Sequence, residues 1–373
     1  MSRILLIRLR QIGDVVFTTP AIRALRERFP GAHLTYIVEP GAAPIVARSP
    51  HLNDVIVSPR GRRGTQWIRN IALGLRLRRA RYDLAIDFHG GPRSSLLAWL
   101  SGAPVRVGYD VAGRGWMYTT RVARPRALRP RHSVENQWDL LEAIGIGPSD
   151  RSRYPVEMPL DAGVASAVDA RLARADVHCG DALVVVHVSA GNPFRRWPIE
   201  RFAALVAALA RADPRRRVIV TSGPSEREAA NRVIAQARDA LAVGDRARVV
   251  DCGEFALDEL RALFERASLY IGGDSGPLHV AATTRTAIVG LYGPTLPARS
   301  APWRAPDLVA EAVEVHGLPC RPCDQRVCAP GDFRCLTWIT PEQVAAAAER
   351  ALARTRTSDP PSDGPRRADH DKM

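Results

Sequence analysis

The feature that most constrains the fold is a repeated alternation of short apolar runs with amphipathic segments. In the first half, residues 3–7 and 84–88 are apolar runs of strand length, whereas residues 15–28 and 65–80 carry helical periodicity. Strands that alternate with helices form a parallel sheet covered on both faces. The chain is therefore predicted to have an α/β fold.

The alternation stops once and then restarts. Residues 145–160 are rich in glycine, proline and charged side chains, which is typical of an interdomain linker. We predict an N-terminal domain over residues 1–150, a C-terminal domain over residues 161–353 that closes with a helix over 341–353, and a polar, disordered tail over residues 354–373. Two such domains place a cleft at their interface, where ligands usually bind.

Composition limits the function classes. The 373 residues are 46% hydrophobic and 25% charged, as in a globular protein. No apolar run has the length of a membrane-spanning helix, and residues 4–7 are too short for a signal-peptide core, so we expect a cytoplasmic protein.

The charge points to anionic partners. The net charge is +14, and because Lys372 is the only lysine, 52 of the 53 basic side chains are arginine. Such a surplus favours phosphorylated ligands or a membrane surface. Nucleic acid is the least supported partner, since the chain has only 6% aromatic residues and no zinc-finger or recognition-helix pattern.

The first candidate site follows the apolar run at residues 267–271, which stops at two glycines before Asp274 and Ser275. Either side chain could cap the next helix, and the N–H groups at a helix start attract anions. His279 lies about one turn along and faces the same side as Ser275. The segment is either a pyrophosphate site at the end of a parallel strand or a capped turn with a half-buried histidine.

The second candidate is the loop after the first strand, residues 8–14. Asp14 lies at the predicted helix start, where it could accept a proton from a hydroxyl or only cap the helix. No Gly-x-Gly-x-x-Gly pattern follows any predicted strand, which argues against a nicotinamide dehydrogenase.

Two further loops follow strands of the second half. Ser189 with Arg195 or Arg196 could bind a phosphate, or the arginines could be an exposed pair beside a buried Trp197. Glu226 could bind ribose hydroxyls or only favour a helix N-terminus.

Together these segments resemble glycosyltransferase family 9, the lipopolysaccharide heptosyltransferases. The resemblance runs in order from about residue 2 to residue 352 and rests on Ile4-Leu-Leu-Ile, Gly13-Asp14-Val15, Arg196-Trp197-Pro198, Ser222-Gly-Pro with Glu226, and Gly273-Asp-Ser-Gly-Pro-Leu-His279. The last motif and the N-terminal loop are together fairly specific, whereas the others are weak alone.

The resemblance implies a GT-B architecture, in which two Rossmann-like domains face a central cleft. It implies inverting transfer of heptose from ADP-L-glycero-D-manno-heptose, held by the C-terminal domain, to the lipopolysaccharide inner core, held by the N-terminal domain. Asp14 would be the general base that activates the acceptor hydroxyl. The donor-binding residues would be Asp274, Ser275, Gly276 and His279, with Glu226 near the adenosine ribose.

One position departs from the family. Two residues before the Trp-Pro pair the family usually has lysine, whereas this chain has Arg195, which keeps the charge but changes the donor geometry. Departing ADP builds negative charge on the diphosphate, which arginine and helix N-termini can stabilise. We therefore expect Arg195 to act in catalysis and, with Ser189, in donor binding, and we expect no cofactor and no catalytic metal.

The family's acceptor is anionic and anchored in a membrane. The candidate contacts for its phosphates, or for the inner leaflet, are Arg60, Arg62, Arg63 and Arg93. For each of them the alternative is an ordinary solvated surface charge. The resemblance therefore predicts peripheral contact with the cytoplasmic face of the inner membrane.

Two other functions stay open at this point. The chain could be a GT-B glycosyltransferase that uses another nucleoside diphosphate sugar, or a non-catalytic protein that binds nucleotide sugars. Asp14 in its expected loop argues against the second of these.

The cysteines form one cluster and two isolated thiols. Four thiols within 16 positions could bind structural zinc, although paired Cys-x2-Cys knuckles are absent, and they are Cys320, Cys323, Cys328 and Cys335. Stable disulfides are less favoured in a cytoplasmic protein. Similar clusters in some family members imply a structural role for this loop.

Overall fold

The computed structural model describes residues 1–59, 61, 66–124, 131–188 and 191–358. It contains two six-stranded sheets, and the strand pairs of both sheets are parallel. The strands of the first half are β1 (Arg3–Ile7), β2 (His33–Val38), β3 (Asp54–Val57), β4 (Leu84–Asp87), β5 (Val105–Asp110) and β6 (Thr120–Ala123). Those of the second half are β7 (Ala182–His187), β8 (Arg216–Thr221), β9 (Val249–Val250), β10 (Leu269–Gly273), β11 (Ala287–Tyr292) and β12 (Ala310–Glu314).

Helices connect the strands within each half. The first half has α1 (Ile12–Val16), α2 (Thr19–Arg28), α3 (Ala43–Val46), α4 (Gln66–Arg79), α5 (Pro92–Leu100) and α6 (Ser133–Glu142). The second half has α7 (Ala162–Arg174), α8 (Ile199–Ala212), α9 (Arg227–Asp239), α10 (Leu257–Arg266), α11 (Gly276–Ala281), α12 (Pro297–Ser300), α13 (Arg334–Thr337) and α14 (Pro341–Ser358). The α/β prediction is confirmed.

The two sheets have the same strand order. The first reads β3-β2-β1-β4-β5-β6, and the second reads β12-β11-β10-β7-β8-β9. Counted from its own first strand, each half is therefore ordered 3-2-1-4-5-6, with a crevice outside the carboxyl ends of its first and fourth strands. Ligand sites are expected in the loops after β1, β4, β7 and β10.

The central strands are buried on both faces because helices cover each sheet. Along β1, Ile4, Leu5, Leu6 and Ile7 are all fully buried. A continuous apolar run of this kind is the pattern of a parallel strand inside an α/β fold, whereas an antiparallel strand with one wet face would alternate.

The segment predicted as a linker packs into the core. Tyr154, Val156 and Met158 are buried in a hydrophobic cluster that contains residues of both halves. Val156 N donates to the Trp303 carbonyl at 2.9 Å, and Trp303 Nε1 donates to the Tyr154 carbonyl at 2.9 Å. Tyr154 Oη donates to Glu27 Oε2 at 2.9 Å. The segment thus joins the halves by side-chain and backbone contacts as well as by chain connectivity.

The helix predicted over residues 15–28 is two helices, because the chain turns at Phe17 and Thr18. The hydroxyls of Thr18 and Thr19 donate to the carbonyls of Val15 and Val16 at 2.7 and 2.8 Å. These bonds satisfy carbonyls at the end of α1, and the next residue, a proline, has no N–H to continue the ladder.

The predicted end of the last helix was wrong. Helix α14 extends to Ser358, so the first five residues of the predicted disordered tail are helical. Residues 359–373 lie outside the described residues. Within the described ranges, no helix combines the length and apolar character needed to cross a bilayer.

Candidate active site

Helices α1 and α11, which follow β1 and β10, meet face to face between the two halves. The approach requires glycine on both sides. A Cβ on Gly13 would overlap the His279 ring, and a Cβ on Gly276 would lie 2.8 Å from Ile12 Cβ. The contact brings the loop that carries Asp14 against the loop that carries Asp274.

Beside this contact is a cleft of about 760 Å³ that residues from both halves line. Six of the predicted site residues line it together: Asp14, Arg195, Asp274, Ser275, Gly276 and His279. Asn192, Thr295 and Gln325 also line it, and none of these three was predicted.

Asp274 is the buried anion of the site. Its Oδ2 accepts hydrogen bonds from Thr295 Oγ1 at 2.5 Å and from Arg195 Nη1 at 3.2 Å, and its Oδ1 lies 3.6 Å from His279 Nε2. Burial by itself raises the pKa of Asp274, but His279, Arg195 and Thr295 outweigh burial and hold the pKa at about 2. Asp274 is therefore a fixed negative charge that orients its neighbours, since it holds no proton to donate at neutral pH.

The helix-capping alternative for this motif is not what the structure shows. Ser275 occupies the N-cap position of α11, but its side chain makes no capping bond. In the described part of the chain, Ser275 Oγ and His279 Nδ1 are buried without a hydrogen-bond partner. Buried polar atoms are nearly always paired in native proteins, so two unpaired atoms beside a cleft indicate a ligand site.

Asp14 also differs from a simple cap. It is the third residue of α1, whose N-cap is Gln11, and its carboxylate forms an ion pair with Arg8 through Oδ2. Its side chain is 37% exposed. The capping alternative is therefore wrong for Asp14 as well.

Asp14 lies where two cavities meet. Besides the cleft, it lines a smaller cavity of about 180 Å³, most of whose lining residues come from the first half. Arg8, His89 and Arg124 line this smaller cavity but not the cleft, whereas Arg299 and Asp14 line both. A carboxylate at the junction can contact groups that enter from either side.

Gln325 holds Arg195 in place from a distant part of the chain. Gln325 Oε1 accepts from Arg195 Nε at 2.7 Å and from Asn192 Nδ2 at 2.8 Å. Arg195 Nη1 then donates to the Asp274 carbonyl at 3.0 Å. Gln325 lies in the loop that carries the four clustered cysteines, residues 320–335, which we call the cysteine loop. Its φ of 59° is a left-handed conformation that is uncommon for residues other than glycine. Its place in that loop was the only sequence signal for it.

Trp197 is a buried anchor, as one of the two interpretations of its loop required. Its Nε1 donates to the Ile339 carbonyl at 3.1 Å. The arginine pair is not simply exposed, because Arg195 faces the cleft and Arg196 Nη2 donates to Glu226 Oε1 at 3.2 Å. Glu226 is buried beside Arg196 and is not among the described residues that line the cleft.

Of the predicted acceptor arginines the structure describes only Arg93, which is not among the residues that line the cleft. Arg93 lines a third cavity, and its guanidinium donates to Glu39 Oε1 at 3.1 Å, Ser58 Oγ at 2.6 Å and Asn70 Oδ1 at 3.1 Å. An acceptor phosphate would have to share Arg93 with these groups. Ser189, Arg60, Arg62 and Arg63 lie outside the described residues.

The cysteine loop carries no assembled metal site. Across the described ranges, no three histidine, cysteine, aspartate or glutamate residues are grouped as metal ligands, and the four cysteines of the loop are free thiols. The zinc site that the cysteine spacing allowed is therefore not assembled among the described residues, and Arg321 holds the loop, with Nη2 donating to the Thr295 carbonyl at 2.8 Å.

Comparison with known proteins identifies the family. The model for glycosyltransferase family 9 (heptosyltransferase) matches residues 70–332, well over half of the chain. The chain belongs to glycosyltransferase family 9. Among family members, lipopolysaccharide heptosyltransferase 3 of Escherichia coli K12 is 27% identical over 355 residues, which cover 92% of this chain and 96% of that protein.

Solved structures of the family show the same fold. A glycosyl transferase family 9 protein from Veillonella parvula DSM 2008 superposes with a TM-score of 0.82 at 24% identity, covering 94% of this chain and 97% of that one. The ADP-heptose LPS heptosyltransferase II of Escherichia coli superposes with a TM-score of 0.76 at 22% identity, covering 95% and 100%. The family 9 protein described here is a glycosyltransferase with GT-B architecture, as the sequence resemblance implied.

Proposed function

We propose that this protein transfers heptose from ADP-L-glycero-D-manno-heptose to the lipopolysaccharide inner core, with inversion at the anomeric carbon. The observation that carries the proposal is the position of Asp14 at the junction of two cavities. One cavity contains the Asp274, Arg195 and His279 cluster, and the other is lined by arginines of the first half. The similarity to the Escherichia coli heptosyltransferases supports the choice of sugar.

In this mechanism the acceptor hydroxyl reaches Asp14 from the smaller cavity. Arg8 pairs with Oδ2 of Asp14, so the carboxylate is held in one orientation with Oδ1 able to accept a proton. The hydroxyl oxygen bonds to the anomeric carbon as the bond from that carbon to the diphosphate oxygen breaks. The proton passes to Asp14, ADP leaves with the electron pair, and the configuration inverts.

The cleft stabilises the departing diphosphate. Arg195 is fixed from two sides, by Gln325 at Nε and by Asp274 at Nη1, so its positive charge needs little reorganisation as negative charge develops. Ser275 Oγ and His279 Nδ1 are among the buried atoms without a partner in the described residues that line the cleft, and both are available to the donor. We assign Ser189, Gly276 and Glu226 to the donor on family resemblance.

The smaller cavity suits an acidic acceptor. Arg8, Arg124 and Arg299 line it, and carboxylates or phosphates of a core saccharide would pair with such side chains. We therefore assign the acceptor to the first half and the donor to the second. Arg60, Arg62, Arg63 and Arg93 remain proposed contacts at the outer end of the acceptor, with the enzyme acting at the cytoplasmic face of the inner membrane.

A donor panel tests the substrate. Purified protein is incubated with ADP-heptose or with UDP-sugars and a lipid-linked inner-core acceptor, and the nucleoside diphosphate released is measured. We expect turnover with ADP-heptose. Turnover with UDP-sugars alone would identify a transferase of another donor class, and ADP binding without any turnover would identify a non-catalytic binding protein.

Replacing the proposed base tests the mechanism. Asp14→Asn keeps the shape of the side chain but cannot take the proton, so kcat should fall about a thousandfold while calorimetry shows unchanged ADP binding. Asp54→Asn, at an exposed carboxylate of the same half, is the matched control and should keep wild-type activity. Near-normal turnover by Asp14→Asn would show that another group is the base.

A further inference from the structure

Helix α4 presents an apolar face to solvent. Trp67, Ile68, Ile71 and Leu75 are between 42% and 61% exposed. At about 100° per residue, these four positions fall within one arc of about 100° on the helix surface. Large apolar side chains gathered on one exposed face indicate an interaction surface.

The opposite face of α4 already packs on its own domain. Asn70, Gly74 and Leu77 are buried, and Gly74 allows a close approach to α5, since a Cβ there would lie 2.6 Å from Leu100 Cβ. The outward apolar face therefore does not belong to the core of this half. The inward face anchors the helix to its domain, and the outward face is exposed to solvent.

The same helix is strongly basic. Its sequence has four exposed arginines and no acidic residue, the arginines being Arg69, Arg76, Arg78 and Arg79. A second copy of the helix on this face would bring like charges together, which disfavours self-association through it. An anionic partner is the complementary one.

Two more exposed aromatic side chains lie beside the contact between α4 and α5. Trp99 immediately precedes Leu100, and its ring makes an edge contact with Trp116 at a centroid distance of 5.6 Å. Both rings are exposed. Tryptophan prefers the interface between lipid headgroups and acyl chains, because its ring is apolar and its N–H is polar.

We propose that the outward face of α4 docks onto an anionic lipid bilayer, lying in the plane of the headgroups. Apolar side chains flanked by arginines are the pattern of helices that bind membrane surfaces. The N-terminal residue of α4, Gln66, lines the third cavity together with Arg93 and His89, and His89 also lines the smaller cavity that Asp14 shares. The helix that carries the docked face therefore begins next to the cavities proposed for the acceptor. Only the purpose of this docking rests on the proposed function: the docked enzyme would reach a lipid-linked acceptor from this surface.

Vesicle flotation tests the apolar contribution. The full-length protein should float with vesicles of about 30% phosphatidylglycerol in phosphatidylcholine and much less with phosphatidylcholine alone. Trp67→Ser with Ile71→Ser should lower the partition coefficient at least about tenfold. The matched control is Trp338→Ser, an exposed tryptophan of the second half, which should bind like wild type. Equal loss in control and test variants, or wild-type binding by Trp67→Ser with Ile71→Ser, overturns the proposal.

Charge variants test the lipid class. Arg76→Gln with Arg79→Gln should weaken binding to the anionic vesicles several-fold, as should raising salt from about 0.05 M to about 0.5 M, whereas Arg232→Gln on α9 should not. A protein that dimerises in sedimentation, and whose dimer Trp67→Ser disperses, would assign the face to self-association instead. The assay contains no sugar donor, so its failure leaves the proposed transfer reaction standing, and failure of that reaction leaves vesicle binding measurable.

Discussion

The two halves carry a buried carboxylate at equivalent points, and the two carboxylates behave in opposite ways. Asp87 is the last residue of β4, and Asp274 directly follows β10, the fourth strand of its own half. Asp87 accepts from the N–H groups of His89 and Gly90 at 2.8 and 3.0 Å and from Tyr118 Oη at 2.6 Å. All three donors are neutral, and burial outweighs them and raises the pKa of Asp87.

At Asp274 burial is the same but the partners are an arginine, a histidine and a hydroxyl, and the pKa falls to about 2. The sheet topology thus provides a buried position for a carboxylate without deciding its charge. The partners supplied by the loops decide it. In the first half the carboxylate is an acceptor that shapes a loop, and in the second half it is an anchor for cationic groups.

The largest expected effect follows from removing one charge from each position. Asp274→Asn should lower the free energy of unfolding at pH 7 by about 3 kcal/mol, because Arg195 loses its buried partner. Asp87→Asn should cost at most about 1 kcal/mol, because an amide oxygen can still accept the backbone N–H bonds. Urea titrations of the two variants measure both costs. Equal costs would contradict the different roles assigned to the two carboxylates.

The contact between the halves gives a second test. Gly13→Ala should lower stability by about 2 kcal/mol and reduce turnover, because the new methyl group collides with the His279 ring. Gly31→Ala in the same half is the matched control, since nothing lies within 4 Å of its added Cβ. Thermal unfolding and initial rates provide the readout. A Gly13→Ala variant that matches the control would show that α1 and α11 separate readily.

Replacing Gln325 tests whether a loop distant in sequence supports the site by holding Arg195 beside Asp274. Gln325→Ala should lower kcat/KM about tenfold, because Arg195 loses one of its two anchors, with little change in stability. In an Arg195→Ala background the same change should have no further effect, as a double-mutant cycle would show. Arg326→Ala, at the exposed next residue, should be silent. Additive losses in the cycle would mean that Gln325 acts apart from Arg195.

The smallest expected effect is the pH dependence of stability, which has opposite sign at the two positions. The lowered pKa of Asp274 contributes stability that is present above pH 3.8 and lost as pH falls towards 2. The raised pKa of Asp87 contributes stability that is complete below pH 3.8 and lost as pH rises through its folded pKa. Between about pH 4 and pH 7, the free energy of unfolding of Asp87→Asn should therefore rise relative to that of the wild type. Over the same range the difference between Asp274→Asn and the wild type should stay constant. Urea midpoints across this range measure both trends, and parallel trends would contradict the assignment.

The sequence predicted the parts of the site that local pattern determines. Asp274 follows an apolar run that stops at two glycines, and Asp14 lies at the helix start after the apolar run at residues 4–7. Gln325 and Thr295 could not be found in this way, because Gln325 reaches Arg195 across 130 positions of chain and Thr295 reaches Asp274 across 21. The single helix predicted over residues 15–28 was wrong for another reason. Thr18, Thr19 and Pro20 are visible in the sequence, and threonine hydroxyls and proline interrupt the backbone hydrogen bonds of a helix.

Two of the four edge strands, β6 and β12, were missed for a related reason. Strand β6 (Thr120–Ala123) carries an arginine and exposed positions, and β12 (Ala310–Glu314) alternates glutamate with alanine. Edge strands of a parallel sheet are short and partly solvated, so they lack the continuous apolar run that marked the central strands. Their pairing depends on the neighbouring strand rather than on their own composition.

The packing of residues 150–160 has a consequence for protein engineering. A hybrid of two family members would join the first half of one to the second half of the other at a polar segment. In this chain Tyr154 contacts Glu27 on one side, and Met158 accepts from Arg261 Nε at 3.0 Å on the other. A cut before Tyr154 separates it from Glu27, and a cut after Tyr154 separates it from Trp303, whose Nε1 donates to its carbonyl at 2.9 Å. A workable exchange therefore has to include the residues on both halves that contact this segment.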